Sequence, residues 1–99
     1  MQQEESRTRF LPPYAVIVFN DDYHTYQYVV ECFARVFGYS QEKSFLLAKE
    51  IHVRGLGIVW SGSKEVAELK REQIEGMGPD LYAARRIDWP LRVELEPLL

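Results

Sequence analysis

The sequence predicts an α+β domain in which a three-stranded sheet packs against three helices, in the order βααβαβ. Three observations carry that expectation. "YAVIVF", residues 14–19, is a continuous apolar run rich in β-branched side chains and too short for a helix, as a central strand buried on both faces would be. From Tyr26 the apolar spacing changes to three and four, the period of a helix face. Near the far end, "LRVELE", residues 91–96, alternates apolar Leu91, Val93 and Leu95 with charged Arg92, Glu94 and Glu96, the pattern of an edge strand with one solvated face.

The elements between them follow from local chemistry. Tyr26, Val29, Val30, Phe33, Val36 and Phe37 form the apolar stripe of the first helix, and Gly38 stands where a left-handed cap ends it. Ser40 is placed to cap the second helix, which carries Leu47, Ala48 and Ile51 and stops at Gly55. "GIVWS", residues 57–61, reads as the second strand, and Ser61-Gly62-Ser63 as a turn capping a third helix from Lys64. That helix holds Val66, Ala67 and Ile74 and breaks at "GMGPD", residues 76–80, after which "LYAARR" is expected to add one more helical turn.

Composition narrows the function classes. With 99 residues, 46% of them apolar, the chain suits one domain with a modest core and little room for a complete catalytic apparatus. The formal charge is −3 and the 12 Lys and Arg are scattered apart from Arg85-Arg86, so no basic stripe exists to track a nucleic acid backbone. A single cysteine, Cys32, falls in the first helix pattern and reads as a buried thiol of a reducing compartment, hence a cytoplasmic protein. No apolar run approaches the length of a membrane span, and no secretory signal precedes the first strand. Residues 1–11 are polar and read as a flexible tail, with residues 12–99 as the core domain. Nothing in the sequence demands more than a monomer.

The residues that could carry chemistry cluster in "FNDDYHTY", residues 19–26. Asn20, Asp21 and Asp22 lie at a strand end before a helix, where such side chains commonly turn the chain and cap the helix. His24 reads most simply as a surface residue of the first helical turn, and His52 as a partly buried side chain on the face of Ala48. Together Asp21, Asp22, His24 and His52 could be counted as metal ligands, but no His-x-x-x-His or Glu-x-x-His pair fixes two of them on one helix, and no metal or other cofactor is expected. A nucleophile fares no better: Cys32 lies on the core side, and the serines at 40, 61 and 63 stand where caps are needed. An enzyme is not expected. An ammonium group, by contrast, presents three donors and no acceptor, and an amide oxygen, a carboxylate and a neutral imidazole nitrogen are suited to receive it. Asn20, Asp22 and His52 supply that set.

"YAVIVFNDDYHTYQYVVECFARVFGYS", then "AKEIHVRGLGIV" and "SKEVAELK", resemble the bacterial Clp protease adaptor family ClpS, whose members recognise proteins by their N-terminal residue and deliver them to an AAA+ unfoldase. The similarity runs without a gap from about Tyr14 to Lys70 and resumes at Pro90-Leu91; its specific parts are the Asn-Asp-Asp-Tyr turn after a strand and a His-x-x-Gly closing the second helix. The resemblance implies that Asn20, Asp22 and His52 bind the α-amino group of a substrate's first residue, with Asp21 in support. It implies a pocket for that residue's side chain, lined by His24, Tyr26, Val29, Ala48, Ile51 and Leu91. It also implies a partner, the N-terminal domain of a Clp unfoldase of the ClpA or ClpC type, facing Glu65 and Lys70, with the N-terminal tail taking part in delivery.

The chain departs from the family pattern in three places. His24 and Tyr26 stand where threonine and methionine are usual, and Ala48 where a methionine usually guards the pocket. The altered wall is expected to admit β-branched first residues, Ile or Val, beside Leu, Phe, Tyr and Trp. The segment between Lys70 and Pro90 is longer than the pattern, and two readings stay open for it: a loop shaping the pocket rim or the unfoldase interface, or an inert surface insertion. A second functional reading keeps the fold without the site: an interaction domain with altered or lost specificity, like the C-terminal domain of the ribosomal stalk protein, docking through its helix surfaces.

Overall fold

The computed structural model describes residues 11–99; of the expected tail, residues 1–10 lie outside the described residues and Leu11 is exposed. The elements are β1 (Tyr14–Phe19), α1 (Tyr26–Phe37), α2 (Gln41–Arg54), β2 (Leu56–Gly62), α3 (Lys64–Glu75) and β3 (Val93–Pro97), the βααβαβ order that the sequence predicts. β1 is the central strand of an antiparallel sheet ordered β2-β1-β3. All four of its interior residues, Ala15 to Val18, are buried. Between Val16 and Ile17 the β2 register slips by one residue, and the carbonyl of Val59, which falls in that slip, accepts the Tyr39 hydroxyl at 2.8 Å.

Each helix begins on a side-chain cap. Ser40 and Ser63 accept the N–H of Lys43 and Val66, as expected for α2 and α3. α1 is capped differently from the expectation: Thr25, and not the Asx cluster, accepts the Tyr28 N–H. Gly38 and Gly55 close α1 and α2 at φ +72° and +92°, a left-handed conformation that an L side chain adopts only with strain.

The core joins Val16 and Val18 of β1, Phe33 and Val36 of α1, Ile51 of α2, Ala67 and Ile74 of α3, and Leu91 with Val93. Its α1 face is Tyr28, Cys32, Phe33 and Val36. Phe33 and Val36 of the expected stripe are buried and Val29 and Phe37 pack against the core, but Tyr28 and Cys32 join them and Tyr26 is 39% exposed because it faces a hollow. Two boundaries also differ. β2 continues through Gly62, so Ser61 is a strand residue and not part of a turn. Residues 81–86 form no helical turn, because the stretch is closed by an antiparallel bridge between Asp80 and Ile87, with backbone bonds of 2.8 and 3.2 Å. No described helix is long and apolar enough to cross a membrane.

Candidate functional site

The site is built where β1 runs out. The Phe19 N–H donates to the Arg92 carbonyl at 3.0 Å, and the Asn20 N–H donates to the Gly55 carbonyl at 2.9 Å. The end of β1 is thereby held between the approach to β3 and the C-terminus of α2. Gly55 terminates the helix whose last turn carries His52, so the Asn20 bond sets the amide and the imidazole at the mouth of one hollow.

That hollow has a volume of about 230 Å³. Its lining includes all ten side chains expected of the substrate site: Asn20, Asp21, Asp22, His24, Tyr26, Val29, Ala48, Ile51, His52 and Leu91. Val18 and Phe19 complete it, and the sequence reading had not included them. Ala48, Ile51 and Leu91 are buried and form an apolar floor, whereas Asp22 and His52 are exposed at the rim. His52 is therefore not the partly buried side chain that its helical phase suggests; its ring stands edge-on to Tyr26 with centroids 5.6 Å apart. Among the described residues, none donates to or accepts from the side chains of Asn20, Asp22 or His52, so their lone pairs remain available at the rim.

Asp21 is spent within the protein. One carboxylate oxygen accepts the N–H groups of Tyr23 and His24, each at 2.8 Å, and the other lies 2.6 Å from His24 Nδ1. Burial alone would raise its pKa, but the two N–H bonds and the imidazole outweigh that and hold it below the usual carboxylate range. His24 is not a surface residue. Its side chain is 1% exposed, stacked on Tyr28, with Nε2 2.9 Å from the Trp89 carbonyl.

The sequence reading missed Asp80. Fully buried, its carboxylate accepts the Thr25 N–H at 2.7 Å, the Thr25 hydroxyl at 3.1 Å and the Tyr82 N–H at 2.9 Å. The Tyr28 hydroxyl reaches the Gly78 carbonyl at 2.5 Å, and Tyr23 packs edge-on against Trp89. The segment of residues 77–92 is thus no inert insertion: it grips the site turn at Tyr23, His24, Thr25 and Tyr28. A lone Asp after Gly-Pro gives no sign of this, since Asp is common in turns for local reasons.

Glu65 and Lys70 lie on α3, away from the hollow's lining. Glu65 is exposed in the first turn, while the Lys70 ammonium donates to the Val36 carbonyl at 2.8 Å and lies over the Phe37 ring. No group of three or more His, Cys, Asp or Glu side chains among the described residues could hold a metal ion.

Comparison with known proteins agrees with this architecture. The family model for "ATP-dependent Clp protease adaptor protein ClpS" matches residues 11–94. The ClpS adapter of Desulforapulum autotrophicum is 36% identical over 92 residues, covering 93% of this chain and 83% of the relative. That of a Nostoc species is 40% identical over 68 residues, covering 68% of this chain and 70% of the relative. Among solved structures, Agrobacterium tumefaciens ClpS2 bound to L-phenylalaninamide has the same fold, with a TM-score of 0.71 and 24% identity over 88% of this chain and 98% of that one. The protein is an adaptor of an ATP-dependent Clp protease. Within that class, the chain belongs to the ClpS family.

Proposed function

We propose that this adaptor binds the free N-terminal residue of degron-bearing proteins and delivers them to a Clp AAA+ unfoldase for degradation. One observation carries the reading: Asn20, Asp22 and His52, from a strand end, a turn and a helix, ring a hollow whose floor is apolar. An α-ammonium group needs three acceptors from different directions, and those side chains offer an amide oxygen, a carboxylate and an imidazole nitrogen. Asp21 supports them by fixing the turn. The side chain of the first residue enters between Tyr26, Val29, Ala48, Ile51 and Leu91, beside His24, where burying Leu or Phe contributes roughly 1.5 to 3 kcal/mol.

Delivery is assigned to α3. Glu65 is free to meet the N-terminal domain of an unfoldase of the ClpA or ClpC type, and Lys70, tied to the end of α1, contributes its exposed surroundings more than its charge. The relative solved with L-phenylalaninamide, an aromatic residue with a free amine, supports reading the hollow here as a site for an N-terminal residue.

Fluorescence anisotropy with peptides that begin in Leu or Phe tests the proposal. Free N-termini should bind at least about tenfold more tightly than acetylated ones, the loss expected when a charge-assisted donor is removed. Equal affinity for the two would overturn it.

A further inference from the structure

We infer that His24 is a positioning residue for the amine site, donating from both ring nitrogens at once and so tying the site turn to the segment of residues 77–92. The inference rests on reading the hollow as an N-terminal-residue site. Nδ1 lies 2.6 Å from an Asp21 carboxylate oxygen and Nε2 lies 2.9 Å from the Trp89 carbonyl. Both partners are acceptors. A neutral imidazole carries one N–H, so the imidazolium alone satisfies both contacts.

The surroundings suit that cation. Facing the ring are the Asp21 carboxylate on its own turn, the π face of Tyr28 from α1 at 5.1 Å, and the edge of Trp89 at 6.2 Å. Asp80 holds the next residue, Thr25, and Asp22 and His52 line the same hollow. Asp21 is matched by His24, which leaves Asp22 as the carboxylate for an incoming ammonium.

The two histidines divide the work: His52 at the rim offers a lone pair to the substrate, whereas His24 donates to two acceptors and holds the turn against Trp89.

Long-range proton–nitrogen correlation of the imidazole rings tests the bridge in the unaltered protein. The chain has two histidines, and His52→Gln assigns them. Two proton-bearing nitrogens on His24 at pH 7 are expected; a bare ring nitrogen there would refute the bridge. His24→Phe keeps an aromatic ring on Tyr28 and removes both donors. Its affinity for a free Leu-first peptide should fall about tenfold. An unchanged affinity would also refute the inference. If free and acetylated peptides bind the parent protein alike, the reading of the hollow fails, while the ring-nitrogen measurement still decides whether the bridge exists.

Discussion

Asp80 and Thr25, 55 positions apart in the chain, meet through a hydrogen bond of 2.7 Å from the Thr25 N–H to a fully buried carboxylate. Thr25 also caps α1, so the helix start and the site turn before it share one anchor. Removing that anchor leaves the Thr25 and Tyr82 donors, which are partly buried in these bonds, without their partner. Asp80→Ala should lower stability by about 3 kcal/mol and Asp80→Asn, which keeps one carbonyl oxygen, by roughly half as much. Urea unfolding reads both values, and an unchanged midpoint for the alanine variant would show the anchor to be idle.

Ala48, buried on α2, lines the hollow together with Tyr26. Peptides beginning in Ile or Val should bind within about tenfold of those beginning in Leu, since Val is one methylene smaller and Ile differs from Leu only in where it branches. Ala48→Met should fill the space and abolish Ile and Val binding while retaining a measurable Leu affinity. A panel of peptides differing in the first residue alone decides the matter; parent protein that takes Leu and rejects Ile and Val contradicts the expectation.

Stability should decline on the alkaline side. Burial pushes the Cys32 thiol from its ordinary 9.0 up to about 12, and burial likewise raises Tyr28 above the usual phenol range. Groups with raised folded values stabilise fully below their unfolded values, so the contribution is intact below about pH 9 and is lost as pH climbs through the folded ones. Asp21 works in the opposite sense: its lowered value gives stability that is present above the ordinary 3.8 and vanishes as pH falls through the folded value. Thermal midpoints across pH should therefore fall at both ends. Native Cys32 should also resist iodoacetamide at pH 8 and react once the protein is unfolded, whereas rapid native alkylation would deny the thiol its burial.

Ser44 is a core position occupied by a polar group. Fully buried on α2, its hydroxyl has no hydrogen-bond partner among the described residues. Ser44→Ala removes an unsatisfied group and improves helix propensity, so it should stabilise the protein by about 1 kcal/mol. A lower unfolding midpoint in urea would contradict this.

Much of this architecture was legible because local and tertiary signals coincide. In β1 the apolar run, its length and the Pro pair before it agree, and the strand lies where they place it. Gly38, Ser40, Gly55 and Ser63 mark helix ends through their own backbone and side-chain chemistry, which needs no distant partner. Donor–acceptor chemistry singles out Asn20, Asp22 and His52, but the apolar wall of Tyr26, Val29, Ala48, Ile51 and Leu91 follows only from the family resemblance, since periodicity alone says nothing of a shared concavity. What escaped is non-local. The burial of His24 depends on Trp89, the α1 cap depends on Asp80, and the exposure of Tyr26 on α1 depends on where the hollow lies. Residues 81–86 have a helical composition, yet the backbone pairing of Asp80 with Ile87 overrides it.

The order in which the sheet is assembled has a consequence for biosynthesis. β1 gains its second neighbour from residues 93–97, and the floor of the hollow is closed by Leu91. A ribosome must therefore have released the chain through β3 before a competent cavity can exist. A nascent copy that has emerged only through α3 would expose the Asn-Asp-Asp turn without the wall behind it, since the closing contacts pair segments far apart in the chain.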